Sequence, residues 1–381
     1  MIYLDHAATS FPKPEAVHDA MQQFARTMMG NPGRGGHSLA VASEDAIART
    51  RRQLREFFNA DDANRFVFTL NATDSMNMAI KGLLRTGDHV VTGVLEHNSV
   101  RRPLRGLVDR CGVRVTTVGC GEEGTYSLEE LKEAIETNTR LVALTHASNV
   151  LGTVQPIEEI GAICREHGVL FMVDAAQTAG AWPIDLRELP VDLLACSGHK
   201  ALLGPPGVGV LYVGARCGLE PWREGGTGGR SLDPLQPTEL PAALEAGTPN
   251  VLGIVGLSAA LDHLRSVGAE EIQRREREHR RQLRGSLKAL PGVQVYPEED
   301  SDGLAVVAFR ADWLPVAELA ALLDSAFGIA VRAGLHCAPG VHKRFDTLPD
   351  GLVRVSAGAL TRESDLESFA ESMSQLAGEF C

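Results

Sequence analysis

Between Arg65 and Val213 the chain alternates short apolar runs with stretches whose apolar residues recur at helical spacing. Arg65–Leu70 reads as a strand and Asp74–Leu84 as the helix that follows it. His89–Val94, Val113–Val118, Leu141–Thr145, Val169–Val173, Asp192–Ser197 and Val208–Val213 read as further strands. Helices fall near Ser99–Cys111, Ser127–Glu136 and Ile157–His167, and Ser127 and Glu130 have the spacing of a capping box. Val169-Leu-Phe-Met-Val173 is apolar at every position. A strand reads this way when helices cover both of its faces in a mostly parallel sheet, which makes the fold α/β.

Past Gly214 the pattern breaks. As far as about Asn250 the chain is rich in Gly and Pro, notably in Glu224–Arg230 and Thr248-Pro249-Asn250, and reads as a long functional loop and domain connection. Helical spacing returns over Val251–Val267 and Glu270–Leu290, the second so densely charged that it reads as a solvated bridging helix. The remainder mixes short strands (Ala305–Phe309, Leu352–Ser356) with helices near Val316–Phe327 and Arg362–Ala377, as a smaller α+β domain would. A chain of 381 residues has room for about two or three domains. The division expected is a large domain over 15–250 and a small domain formed by 1–14 with 251–381.

Charge and cysteine usage narrow the classes of function. Lys and Arg number 37 against 49 Asp and Glu, a net charge of −12, so binding to nucleic acid or to an anionic membrane is not expected. No apolar run approaches the roughly 18 residues of a membrane-spanning helix, and Met1–His6 does not open a secretory leader. The seven cysteines are scattered, as in a cytoplasmic protein without disulfides.

Candidate chemistry collects at the ends of successive strands. Lys200 lies in Ser197-Gly-His-Lys200, a small-residue turn after a buried strand. Desolvation there favours the neutral amine, the form that attacks a carbonyl to make a Schiff base. Asp174 ends the preceding apolar strand, where a carboxylate needs a cationic partner. A protonated pyridine nitrogen is one such partner, and the pairing keeps a pyridoxal ring electron-withdrawing. Asn71-Ala72-Thr73 opens a helix after a strand, with backbone N–H groups and a hydroxyl suited to a phosphate. His97 follows another strand and offers a flat ring to stack on a cofactor. Taken singly, each has a plainer reading: a loop lysine, a helix cap for Asp174 or Thr73, a loop histidine. Four at strand ends coincide with the place where open α/β sheets bind ligands.

Tyr3–Thr9, His146–Thr153, Val173–Gln177, Ser197–Lys200 and Arg332–Pro339 resemble the class V aminotransferase-fold family, and within it the cysteine desulfurase and selenocysteine lyase branch. The resemblance implies pyridoxal-phosphate fold type I with a seven-stranded-type, mostly parallel sheet. It implies that Lys200 carries the cofactor, Asp174 holds the pyridine nitrogen, Gln177 contacts the ring hydroxyl and His97 stacks on the ring. Ala72, Thr73, Ser197 and His199 would bind the phosphate, and Thr248 would reach the phosphate of the other subunit of a homodimer. Asn149, Arg354 and Arg332 would hold the substrate carboxylate, with Arg supplying a bidentate fork. Cys337 would be the nucleophile that takes sulfur from L-cysteine as a persulfide for an acceptor protein, as in iron–sulfur cluster assembly. L-selenocysteine is the alternative substrate, and a class V lyase or transaminase, needing Lys200 but not Cys337, is the alternative activity. A low-turnover accessory protein of sulfur trafficking ranks below these. Arg332 and His336 lie near Cys337 in sequence as cations favouring its thiolate. Free cysteine is most often a small buried hydrophobe, which is the plain reading of Cys337. No metal is expected, since His336, Cys337 and His342 lack a second ligand pair at zinc-like spacing.

Overall fold

The computed structural model describes residues 1–33, 36–229, 231–299 and 301–381. Arg230, the last residue of the glycine-rich stretch from Glu224, lies outside the described residues. The chain opens with β1 (Ile2–Tyr3), α1 (Glu15–Thr27) and α2 (Ser38–Phe57). It continues through β2 (Phe66–Thr69), α3 (Ala72–Leu83), β3 (His89–Gly93), α4 (Asn98–Cys111), β4 (Arg114–Val118) and α5 (Leu128–Ala134). Next come β5 (Thr139–Thr145), α6 (Ile157–Glu166), β6 (Leu170–Asp174), β7 (Leu193–Ser197) and β8 (Gly209–Val213). The C-terminal part holds α7 (Val251–Val267), α8 (Ala269–Lys288), β9 (Val293–Tyr296), β10 (Val306–Ala311) and α9 (Val316–Phe327). It ends with β11 (Ile329–Ala330), β12 (Arg332–Gly334), α10 (Pro339–Arg344), β13 (Leu352–Ser356) and α11 (Glu363–Phe380).

Seven strands form the main sheet in the order β2-β8-β7-β6-β5-β3-β4. The pairs among β3 to β7 are parallel, and β8 runs antiparallel to both β7 and β2. Alternate residues supply its two faces. Val90, Leu141, Ala143, Met172 and Ala195 pack with Met76, Ile80 and Leu104 of α3 and α4. Val91, Val142, Leu144, Phe171, Val173 and Leu194 pack with Ile160 of α6 and Leu257 and Leu261 of α7. Burial on both faces is why these strands read as unbroken apolar runs. From β3 the chain moves outward to β4, then returns to the other side of β3 as β5. The crevice at the carboxyl ends of β3 and β5 is therefore a switch point of the topology.

A four-stranded antiparallel sheet, β12-β13-β10-β9, carries a second core with Leu283 and Leu287 of α8, Leu319 and Leu323 of α9, and Phe369 and Met373 of α11. β1 pairs in parallel with β11, which ties the N-terminus to this smaller unit. α7, assigned by sequence to the small domain, packs on α1 and α2 against the main sheet.

Three local expectations change. α1 and α2 were not legible in the hydrophobic pattern. α8 is not solvated on all sides: Glu276, Arg280 and Arg284, spaced four apart on one face, are 6%, 3% and 2% exposed. Backbone groups are among their partners, with the Ala305 N–H donating to Glu276 and Arg280 donating to the Leu151, Leu304 and Val306 carbonyls. The capping box is half formed: Ser127 accepts the Glu130 N–H, but the Glu130 carboxylate turns to the Gly119 N–H.

Candidate active site

The turn from β7 to β8 carries Lys200. Because β8 reverses direction, the chain must double back at the carboxyl end of the sheet, and residues 198–208 make that reversal there. Burial lowers the Lys200 ammonium to about 8, with Arg354 and Arg332 adding to the effect and Asp174 and Cys337 opposing it. Five groups from five segments of the chain thus share one electrostatic neighbourhood.

Asp174 closes β6 and is 5% exposed. Its Oδ1 accepts the Ala176 N–H at 2.9 Å, and no cation lies within ion-pair distance among the described residues. Burial pushes its carboxyl up, against the Ala176 N–H and the Lys200 charge. Gln177 donates from Nε2 to the Ala7 carbonyl at 3.0 Å.

The start of α3 is tied to the end of β7, the Ala72 N–H donating to Ser197 Oγ at 3.0 Å. Asn71 rather than Thr73 caps the helix, accepting the Asp74 N–H, and Thr73 remains exposed. His199, two residues past Ser197, places Nδ1 3.0 Å from Thr9 Oγ1. Burial, with Lys200 and Lys13, holds its ring down to about 4.

His97 caps α4. Its Nδ1 accepts the Ser99 N–H at 3.0 Å, so the ring proton sits on Nε2. Burial and the charges of Lys200 and Arg332 lower it to about 4, leaving a neutral, flat ring half-buried in the site.

Arg354, on β13, is 1% exposed. Its Nη2 pairs with Asp5 Oδ1, its Nη1 donates to the Asn149 carbonyl at 3.0 Å, and its buried Nε has no hydrogen-bond partner among the described residues. Arg332 stands opposite it on β12. The Asn149 side chain donates to the His336 carbonyl at 2.7 Å.

Cys337 is exposed, and both it and His336 sit at positive φ, +58° and +49°. Such backbone is costly for residues with a Cβ and is held here by the surroundings. The Asn98 N–H donates to the Cys337 carbonyl at 2.8 Å, and His336 is held through Asn149 and through its ring to the Leu352 carbonyl. The plain reading of Cys337 as a buried hydrophobe does not describe it. His336 is not the cation that its place in sequence suggests: burial drops it to about 3, and it is neutral. Thr248 does not join this group within one chain. It lines a separate cavity of about 310 Å³ with Asn31, Arg51, Thr227 and Glu245.

Sequence reasoning missed several contributors. Asp5, Thr9, Ser10 and Lys13 reach Arg354, His199 and the Lys200 peptide from the N-terminal segment. Glu96 is fully buried beside His97, its Oε1 accepting the Tyr126 hydroxyl at 2.5 Å and the Thr145 N–H at 2.8 Å. Burial raises its carboxyl to about 8. The His6-Ala-Ala-Thr9 stretch after Asp5 and the placing of Glu96 directly before His97 were the available signals.

A desolvated lysine and a buried carboxylate lacking a counter-ion at adjacent strand ends, beside a helix N-terminus with a serine, fit pyridoxal phosphate. The lysine suits the aldehyde, the carboxylate the ring nitrogen and the helix start the phosphate. The fold and site define an α/β enzyme of pyridoxal-phosphate fold type I. The family model Aminotransferase class-V matches residues 2–369, and the chain belongs to that family, whose members use pyridoxal phosphate. It is 35% identical to a probable cysteine desulfurase of Halalkalibacterium halodurans over 98% of this chain and 92% of that protein. Among solved structures, a cysteine desulfurase from Thermococcus onnurineus superposes with a TM-score of 0.93 at 34% identity, covering 99% of this chain and 95% of the other. An S-sulfonic acid form of a cysteine desulfurase from Escherichia coli gives 0.90 at 30% identity, covering 100% and 95%.

Proposed function

We propose that this protein is a cysteine desulfurase that converts L-cysteine to L-alanine and passes the sulfur to Cys337 as a persulfide. The observation that carries this reading is the exposed Cys337 thiol, held on positive-φ backbone in the same charge cluster as Lys200. A transaminase would have no use for it. Bound pyridoxal phosphate supplies the electron sink that acidifies the substrate Cα–H and loosens its C–S bond.

The protein's own groups do the rest. Ala72, Thr73, Ser197 and His199 hold the phosphate, Asp174 the ring nitrogen, Gln177 the ring hydroxyl, and neutral His97 the ring face. Arg354, Arg332 and Asn149 hold the substrate carboxylate. With its ammonium lowered to about 8, the Lys200 amine has a substantial unprotonated fraction near neutral pH and takes the Cα proton. The Cys337 thiolate attacks the substrate sulfur. The S–S bond forms as the C–S bond breaks, the carbon fragment keeps the bonding pair and gains a proton at Cβ, Lys200 returns the proton to Cα, and alanine leaves. A homodimer completes each site with Thr248 from the other subunit, and an acceptor protein removes the persulfide sulfur, as iron–sulfur cluster assembly requires. The cytoplasm suits a thiol chemistry of this kind.

Borohydride treatment of the yellow protein tests the assignment. It should abolish the visible band and fix the cofactor to the peptide holding Lys200. A protein that gains no band on adding pyridoxal phosphate would overturn the reading.

A further inference from the structure

The N-terminal segment threads the cleft between the two sheets. Asp5 bridges to Ser356 and pairs with Arg354, the Ala7 carbonyl accepts from Gln177, and residues 9 to 13 converge on the peptide joining His199 to Lys200. Four donors crowd the His199 carbonyl: the Ser10 N–H at 3.0 Å, the Lys13 ammonium at 2.7 Å, Thr9 Oγ1 at 3.0 Å and Ser10 Oγ at 3.2 Å. Ser10 Oγ has a nearer acceptor in the Lys200 carbonyl at 2.8 Å.

A carbonyl oxygen offers two lone pairs. The Ser10 N–H and one N–H of the Lys13 ammonium fill them, while a second Lys13 N–H goes to Ser10 Oγ at 2.6 Å. The Thr9 hydroxyl hydrogen is then left for His199 Nδ1, also 3.0 Å away. A ring nitrogen that accepts carries no proton, so the His199 proton moves to Nε2. That nitrogen has no protein partner among the described residues.

We propose that Thr9 is a positioning residue for the cofactor phosphate: its hydroxyl fixes His199 as the Nε2–H tautomer and aims that N–H at the phosphate. The inference rests on the reading of His199 as a phosphate ligand. Burial and the neighbouring Lys13 and Lys200 keep the ring neutral, so tautomer alone decides whether Nε2 donates to the phosphate or faces it as a second acceptor. A hydroxyl at residue 9 converts the histidine from indifferent to selective for an anion.

The test compares pyridoxal 5′-phosphate with pyridoxal, which lacks the phosphate, by titrating cofactor-stripped protein and following the visible band. Thr9→Val keeps the shape and removes the hydroxyl. It should weaken pyridoxal phosphate about tenfold, the loss of one hydrogen bond to a charged group, and leave pyridoxal unchanged. Thr9→Ser should restore the wild-type ratio, and nitrogen NMR should find His199 Nδ1 unprotonated in the wild type. A Thr9→Val protein with the wild-type preference, or a protonated Nδ1, overturns the proposal. His199→Ala separates the two levels. If it too leaves the ratio unchanged, the phosphate assignment of His199 falls and takes the proposal with it. If it loses the preference while Thr9→Val keeps it, only the role of Thr9 is overturned.

Discussion

Arg332 and Arg354 stand opposite each other in the β12–β13 ladder, so both guanidinium groups leave the same face of the small sheet. Adjacent cations repel unless an anion offsets them. Asp5 offsets Arg354, whereas Arg332 has no ion pair among the described residues. The pair therefore carries one uncompensated positive charge into the site, which is what a substrate carboxylate needs. The same charge helps hold Lys200 as an amine and His97 neutral.

Arg332→Ala should accordingly raise KM for L-cysteine roughly thirtyfold, about 2 kcal/mol, with kcat changed far less and the visible band intact. Arg354→Ala should do this and more. It breaks a buried ion pair and empties a nearly unexposed position, so thermal unfolding should shift down by several degrees. Steady-state kinetics and a melting curve on the two variants separate the ligand from the ligand that is also a tie.

The lowered ammonium of Lys200 makes stability depend on pH in a defined direction. The folded cofactor-free protein releases this proton near 8 and the unfolded chain near 10.5. Between those values this side chain binds more protons in the unfolded state, so its contribution to stability rises with pH across that window and its burial penalty is fully present below it. Lys13, also lowered to about 8 by burial, adds to the rise. The buried thiols of Cys120 and Cys164, pushed up to about 11 and about 12, oppose the rise above about pH 9, so the test is Lys200→Met against wild type in urea unfolding at pH 7.5 and 9, where the variant should gain less stability than the wild type. Equal gains in the two proteins would place Lys200 in a better solvated turn.

Much of this was legible because the main sheet is buried on both faces. Val169–Val173 and Leu193–Ser197 announce themselves as apolar runs, and Asp174 and Lys200 stand out because each ends or follows one. α2 was hidden because it packs against α7 partly through polar groups. Ser43, Thr50, Arg51 and Gln53 are all buried, which blurs the apolar period. α8 misled for a related reason: Arg280 donates to the Leu151 carbonyl and Arg284 to the Pro297 carbonyl, and no helical pattern encodes such partners. Asp5 and Thr9 act across hundreds of residues, so their chemistry depends on tertiary structure alone.

Thr248 carries a prediction about assembly. Its segment is held by Glu245, which makes a two-pronged ion pair with Arg51 at 2.9 Å and accepts the Phe68 N–H at 2.6 Å. The segment is thus presented firmly, in a cavity that Thr73, Ser197 and His199 of its own chain do not line. Thr248→Ala should weaken pyridoxal phosphate several-fold, and sedimentation should find a dimer. Mixed dimers, combining one Lys200→Ala chain with one Thr248→Ala chain, decide the geometry. If Thr248 acts across the interface, the chain that keeps Lys200 receives the wild-type Thr248 of the other chain and binds normally. Weakened binding in that mixed dimer would put Thr248 in its own chain's site.

Cys337 separates desulfuration from every other chemistry open to this fold. Its thiol is exposed on a pinned, positive-φ backbone. Cys337→Ser keeps the size and the hydrogen-bonding backbone, so the visible band and its response to L-cysteine should survive. Alanine release should fall at least a hundredfold, because a hydroxyl at neutral pH is a far weaker nucleophile than a thiolate. Mass spectrometry of the wild-type peptide holding Cys337 should find one added sulfur atom after brief exposure to L-cysteine, and none in the variant. L-Selenocysteine gives the contrast. Its carbon–selenium bond cleaves more readily, so selenide release need not wait for the thiol and should persist in part in Cys337→Ser. If the variant instead releases alanine from L-cysteine at the wild-type rate, the thiol is a bystander. A class V lyase or transaminase built on Lys200 would then describe the protein better.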